Sequence, residues 1–73
     1  MTNPNSIDLD RLRLIIEEIE MVIARLDARP TPSKIGMAVT ETYREEIEYI
    51  VANVDAQFDP KRHTKRLELI FRT

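Results

Sequence analysis

The chain has 73 residues, with 11 Lys/Arg against 13 Asp/Glu, one Gly, four Pro and no Cys. At that length folding hides only about 60% of the surface that the unfolded chain exposes, so a single small domain with a thin core is the upper bound. Without cysteine there are no disulfide staples and no thiolate metal sites; with 42% apolar and 33% charged residues the chain is too hydrophobic for a disordered segment, and no apolar stretch approaches the ~20 residues of a bilayer span.

The opening residues, Met1-Thr2-Asn3-Pro4-Asn5-Ser6, lack the basic start and apolar stretch of a secretory signal, which makes a cytoplasmic protein the expectation. Residues 1–6 read as a flexible tail and residues 7–73 as one helical domain. The first helix is expected over 7–28. Its apolar residues Leu9, Leu12, Ile16, Ile19, Ile23 and Leu26 alternate at spacings of three and four, and Ile15 and Val22 widen the stripe. Asn5, Ser6 or Asp8 can cap its start.

Arg29-Pro30-Thr31-Pro32-Ser33 breaks that helix, because each proline pushes the preceding residue out of the α region, and residues 29–34 read as a connector. The second helix is expected over about 35–58. Its start lies between 32 and 42: Thr31 can cap with Pro32 at the first position, and Thr42-Tyr43-Arg44-Glu45 also fits a capping box. Tyr43, Ile47, Ile50, Val51, Val54 and Phe58 mark its expected apolar face. Asp59-Pro60 then ends it and starts a short basic element over 60–72. Leu67, Ile70 and Phe71 fit a helix there, while Leu67, Leu69 and Phe71 alternate like a strand; the Asp-Pro start and the lack of a partner strand favour the helix. The fold class is therefore all-α, an antiparallel helical hairpin with a short third C-terminal element, expected to assemble as a dimeric four-helix bundle.

A second, thinner apolar line on helix one points to that assembly. Ile7, Leu14, Met21 and Ala28 recur every seven residues, almost opposite Ile19. A small chain without crosslinks gains most by oligomerising, so Ile7, Leu14 and Met21 are the expected oligomer contacts. Charge is divided as well: residues 1–58 hold six Lys/Arg and eleven Asp/Glu, a net of −5, and residues 59–73 hold five and two, a net of +3. An acidic body with a basic tail suggests self-association or an acidic partner.

No catalytic, cofactor or metal site is expected. Ser6 and Ser33 lie in tail and connector, glycine is too scarce for a phosphate-cradling loop, and Glu17/Glu20 and Glu45/Glu48 point away from the apolar faces instead of pairing in a cleft. The run Lys61-Arg62-His63-Thr64-Lys65-Arg66 is the most functional-looking feature. Lys61, Arg62, His63, Lys65 and Arg66 can contact phosphates through salt-sensitive charge attraction, but no aromatic residues stand between them for base stacking. Nucleic acid is thus a possible partner and not the favoured one. Docking of the run on an acidic helix flank is preferred, and a non-catalytic protein–protein interaction or regulatory module is the leading function, its protein partner unknown.

Overall fold

The structure is a computed structural model and describes residues 8–73. Three α-helices follow one another: α1 (Leu9–Ile23), α2 (Pro32–Ala52) and α3 (Thr64–Arg72), with one 3-10 turn at Pro60–His63 leading into α3. No strand occurs among the described residues. The all-α reading holds, and the third element is helical.

The starts of α1, α2 and the 3-10 turn are each set by a side chain that accepts the first unpaired N–H groups, and α3 continues from the turn without a side-chain cap of its own. Asp8 caps α1, taking the N–H groups of Asp10 and Arg11 at 3.1 and 3.3 Å. Thr31 caps α2 through the Lys34 N–H at 3.3 Å, with Pro32 in the first position. Asp59 does the same for the 3-10 turn through the Lys61 N–H at 3.1 Å, ahead of Pro60.

The helix ends depart from expectation. α1 stops at Ile23 and not at Ala28, because the Arg25 and Leu26 N–H groups bond to the carbonyls three residues back, at 3.0 Å each. That tighter winding peels the chain off the helix axis and turns Leu26 onto the core. α2 begins at Pro32, the earlier of the two starts the sequence allows, and ends at Ala52 instead of Phe58. Asn53 closes it: both its backbone N–H and its side-chain amide donate to the Tyr49 carbonyl, at 2.9 Å. Residues 53–59 are released to carry Phe58 and Asp59 back towards α1.

The buried faces also shift. On α1 the solvent-excluded line is Ile15, Ile19, Val22 and Ile23, whereas Leu9 and Ile16 of the expected stripe are exposed. On α2 the expected face is corrected: Val51 and Val54 are 75% and 89% exposed, and the buried line is Ala38, Thr42 and Glu46, with Ile35, Val39 and Tyr43 beside it. The cause is α3. Its Leu67 and Phe71, one turn apart, fill the space over Ile15, Ile19 and Val22, so both hairpin helices are rotated to meet a third layer as well as each other.

Leu67, fully buried between three helices, should cost about 2–5 kcal/mol of stability when cut to Ala. Gly36 lies inside α2 without a positive φ, and an added methyl there would meet open space. Gly36→Ala should therefore stabilise the fold by about 0.5–1 kcal/mol. Urea unfolding of the two variants beside the parent checks both signs.

Candidate functional site

The expected basic patch lands on α2, and one carboxylate organises the contact. Glu46 has no solvent exposure. Its Oε2 accepts the Asp59 backbone N–H and the Arg62 Nη2–H, each at 2.8 Å. Its Oε1 lies 2.8 Å from His63 Nε2 and 3.4 Å from Arg62 Nε. A carboxylate only accepts, so His63 carries its proton on Nε2 in this arrangement. The capped 3-10 turn thus delivers a backbone amide, a guanidinium and an imidazole to one buried anion on α2.

Burial alone would push the Glu46 carboxyl up. The hydrogen bonds from Arg62, from the Asp59 amide and from His63, together with the Arg62 charge, outweigh burial and hold it below the ordinary glutamate range. The same partnership raises Arg62 further above its already high value, the hydrogen bond to Glu46 being the largest cause. Arg62 also donates to the Gln57 carbonyl and lies over the Tyr49 ring at 4.4 Å, so its flat group is held on three sides.

Around this centre the contacts continue. Arg66 pairs with Glu45 and comes within 4.0 Å of Glu41, and His63 Nδ1 stands 3.9 Å from Glu45. On the other side α3 meets α1: the Thr64 hydroxyl lies 2.8 Å from the buried Glu18 carboxylate and 2.9 Å from the Lys61 carbonyl, and its single proton serves one at a time. Arg25 reaches Glu68 at 3.9 Å. The preferred reading of the basic run, docking on an acidic flank, is what the geometry displays within one chain.

The sequence-predicted residues therefore separate. Arg62, His63 and Arg66 are drawn into intramolecular pairs, while Lys61 and Lys65 stay exposed and make no ion pair among the described residues. Leu14 and Met21 are 45% and 56% exposed and edge a groove of about 350 Å³ that continues over Phe58 and Pro60. Ile7 lies outside the described residues. Sequence reasoning missed Glu46 and Glu18. Neither stands out in a chain so rich in Glu; the available signal was Ala38-Thr42-Glu46 running at four-residue spacing beside Ile35 and Val39.

A second consequence concerns the hairpin. α3 sits against the flank of α1 that bears Glu18 and Arg25 and the flank of α2 that bears Glu41 and Glu45. The opposite sector, about 60–120° from each buried centre line, holds Leu9, Leu12 and Ile16 on α1 and Val39, Tyr43 and Ile50 on α2, and no Asp, Glu, Lys or Arg. The Tyr43 hydroxyl is already satisfied there, accepting the Asp8 N–H at 3.1 Å.

Among the described residues no three His, Asp or Glu side chains are placed to hold a metal ion. No described helix is long and apolar enough to cross a membrane. The chain matches no protein-family model, no curated protein sequence and no solved structure.

Because Glu46 titrates lower when folded than when unfolded, its contribution to stability is whole above the ordinary glutamate range and is lost as the pH falls below it. Glu46→Gln should cost about 1–3 kcal/mol at neutral pH and flatten the acid limb of a stability–pH profile, measured by urea unfolding between pH 3 and 7. Arg62→Gln with Arg66→Gln should lower Tm in a salt-dependent way, while Lys61→Gln with Lys65→Gln should leave it unchanged.

Proposed function

We propose that the protein is a small non-catalytic interaction module that works as a homodimer, two copies packing their hairpins face to face as a four-helix bundle with α3 on the outside of each. The observation that carries this reading is the charge-free apolar sector left open on the hairpin, where Leu9 and Ile16 are 71% and 43% exposed. Apolar surface concentrated on one face marks an interaction site. A second copy suits it because two identical faces that carry no charge meet without like-charge repulsion, as a two-fold contact requires. The core is also thin, with seven buried apolar residues among those described, and a dimer would extend it.

The nucleic-acid reading loses support on the same page. Three of the five residues of the basic run already face carboxylates, and phosphate would have to displace them. What remains outward, Lys61 and Lys65, offers about two phosphate contacts, a small electrostatic term.

Light scattering at micromolar concentration should give twice the chain mass. Ile16→Glu should give a helical monomer, while Leu14→Glu, on the other shoulder of α1, should remain dimeric. A parent that stays monomeric would sink the reading, and so would salt-sensitive retardation of a DNA or RNA probe that Lys61→Gln with Lys65→Gln abolishes.

A further inference from the structure

The shoulder of α1 that faces away from the proposed dimer contact carries a separate feature. A groove of about 350 Å³ runs between α1 and the 58–61 turn. Its apolar lining is Leu14 and Met21 from α1 with Phe58 and Pro60 from the turn. The charged residues beside them are Glu17, Glu18 and Asp59 against a single Lys61.

We propose that this groove is a docking site for a basic amphipathic helix of a partner protein, one that offers large apolar anchors flanked by Lys or Arg. The groove is built, not incidental. Pro60 is buried, and Phe58 packs on the core with the Arg11 guanidinium 5.5 Å from its ring centre. The Asp59 backbone is tied to Glu46 and its carboxylate to the Lys61 N–H, while Glu18 is fixed against Thr64. A wall held in place before binding has little ordering cost left to meet.

Three features select the occupant. The volume suits a few large side chains, and Met21, unbranched and 56% exposed, can adapt to their shape. Glu17 and Asp59 outnumber Lys61 among the charges open to the groove, with the buried Glu18 carboxylate behind them, a balance that favours cationic flanks over phosphate. On one side the α1 backbone groups are paired within the helix, and on the other Pro60 has no N–H to give, so an extended peptide finds no strand edge to join. A helix, with its own backbone bonds satisfied, is the matching form.

The test titrates the full chain into a fluorescein-labelled, capped, alanine-based helical peptide bearing two leucines four residues apart, flanked by lysines, and reads anisotropy at two salt concentrations. Saturable binding is expected, weaker at the higher salt and absent for the same peptide with its lysines changed to glutamates or its leucines to alanines. Met21→Lys should weaken binding about tenfold or more, as loss of an apolar contact and gain of a repulsive charge would. Glu17→Lys, changed on the exposed wall, provides a second variant, and both should keep the parent's helical spectrum and mass. No saturable binding, equal binding of the glutamate peptide, or binding undiminished in both variants would overturn the proposal. So would assembly beyond a dimer that Met21→Lys dissolves, since the groove would then belong to another copy of the chain. Because the readout is peptide binding, it stands or fails whether the parent is a monomer or a dimer.

Discussion

Burying a carboxylate with no exposure costs several kcal/mol unless its lone pairs are met, and the Glu46 site is where this fold commits itself. The Asp59 amide, Arg62 and His63 meet them, and all three sit within five residues of chain. The 3-10 turn that presents them can form only where Asp59 caps and Pro60 leads, so the cap, the turn and the ion pair are one device. Once it closes, Thr64 falls on Glu18, Arg66 on Glu45, and Leu67 and Phe71 on the open side of α1. Removing the device would leave Ile15, Ile19 and Val22 facing water on one side. The third helix, the burial pattern of the other two and the Pro60 edge of the groove all depend on it.

Such a site does not add stability in proportion to its number of contacts. A well-packed apolar replacement of a buried ion pair is often neutral or better, whereas removing one partner costs several kcal/mol. What Glu46 supplies is register. Leu67 and Phe71 could meet the α1 face at more than one offset, since Ile15, Ile19 and Val22 offer a ridge of similar side chains along about two turns. Only one offset brings Arg62 and His63 to Glu46 while Thr64 reaches Glu18. For a helix of nine residues with two buried anchors, that choice is not fixed by apolar packing alone.

What the sequence made legible follows from which signals are local. Thr31-Pro32, one of the two starts left open for α2, and Asp59-Pro60 announce starts through chemistry confined to two residues, and both cap the elements that follow them. The fold class follows from periodicity, whereas the third element, whose spacing fits helix and strand alike, is read as a helix from its Asp-Pro start and the lack of a partner strand. The apolar face of α2 was misread because Ile47, Ile50, Val51 and Val54 outweigh Ala38, Thr42 and Glu46 on any hydrophobicity scale, although the second set is the buried one. A small residue there admits a neighbouring helix, and a charge there is tolerated because Arg62 and His63, sixteen and seventeen positions downstream, arrive to meet it. Nothing within one turn of Glu46 distinguishes it from Glu45 or Glu48. On α1, the stripe was centred on Ile16 and Ile19, and the arrival of α3 moved the centre towards Ile15 and Val22.

The division of charge along the chain takes on a different meaning once folded. The tail's surplus is largely spent on α2, where Arg62, His63 and Arg66 answer Glu41, Glu45 and Glu46 within hydrogen-bonding or ion-pair distance. Pairs that close leave little field beyond about 8–10 Å at physiological ionic strength, so long-range attraction falls to the charges left over. On the shoulder of α1 next to the 58–61 turn those are the Glu17 and Asp59 carboxylates with Lys61 beside them, and on the hairpin face away from α3 there are none. The two exposed apolar surfaces are therefore electrostatically unlike. A neutral one suits the proposed contact with a second copy, because identical faces bring no opposing field, and a more acidic one suits the proposed basic partner. The two proposed contacts lie on opposite shoulders of α1, so that one helix would carry both.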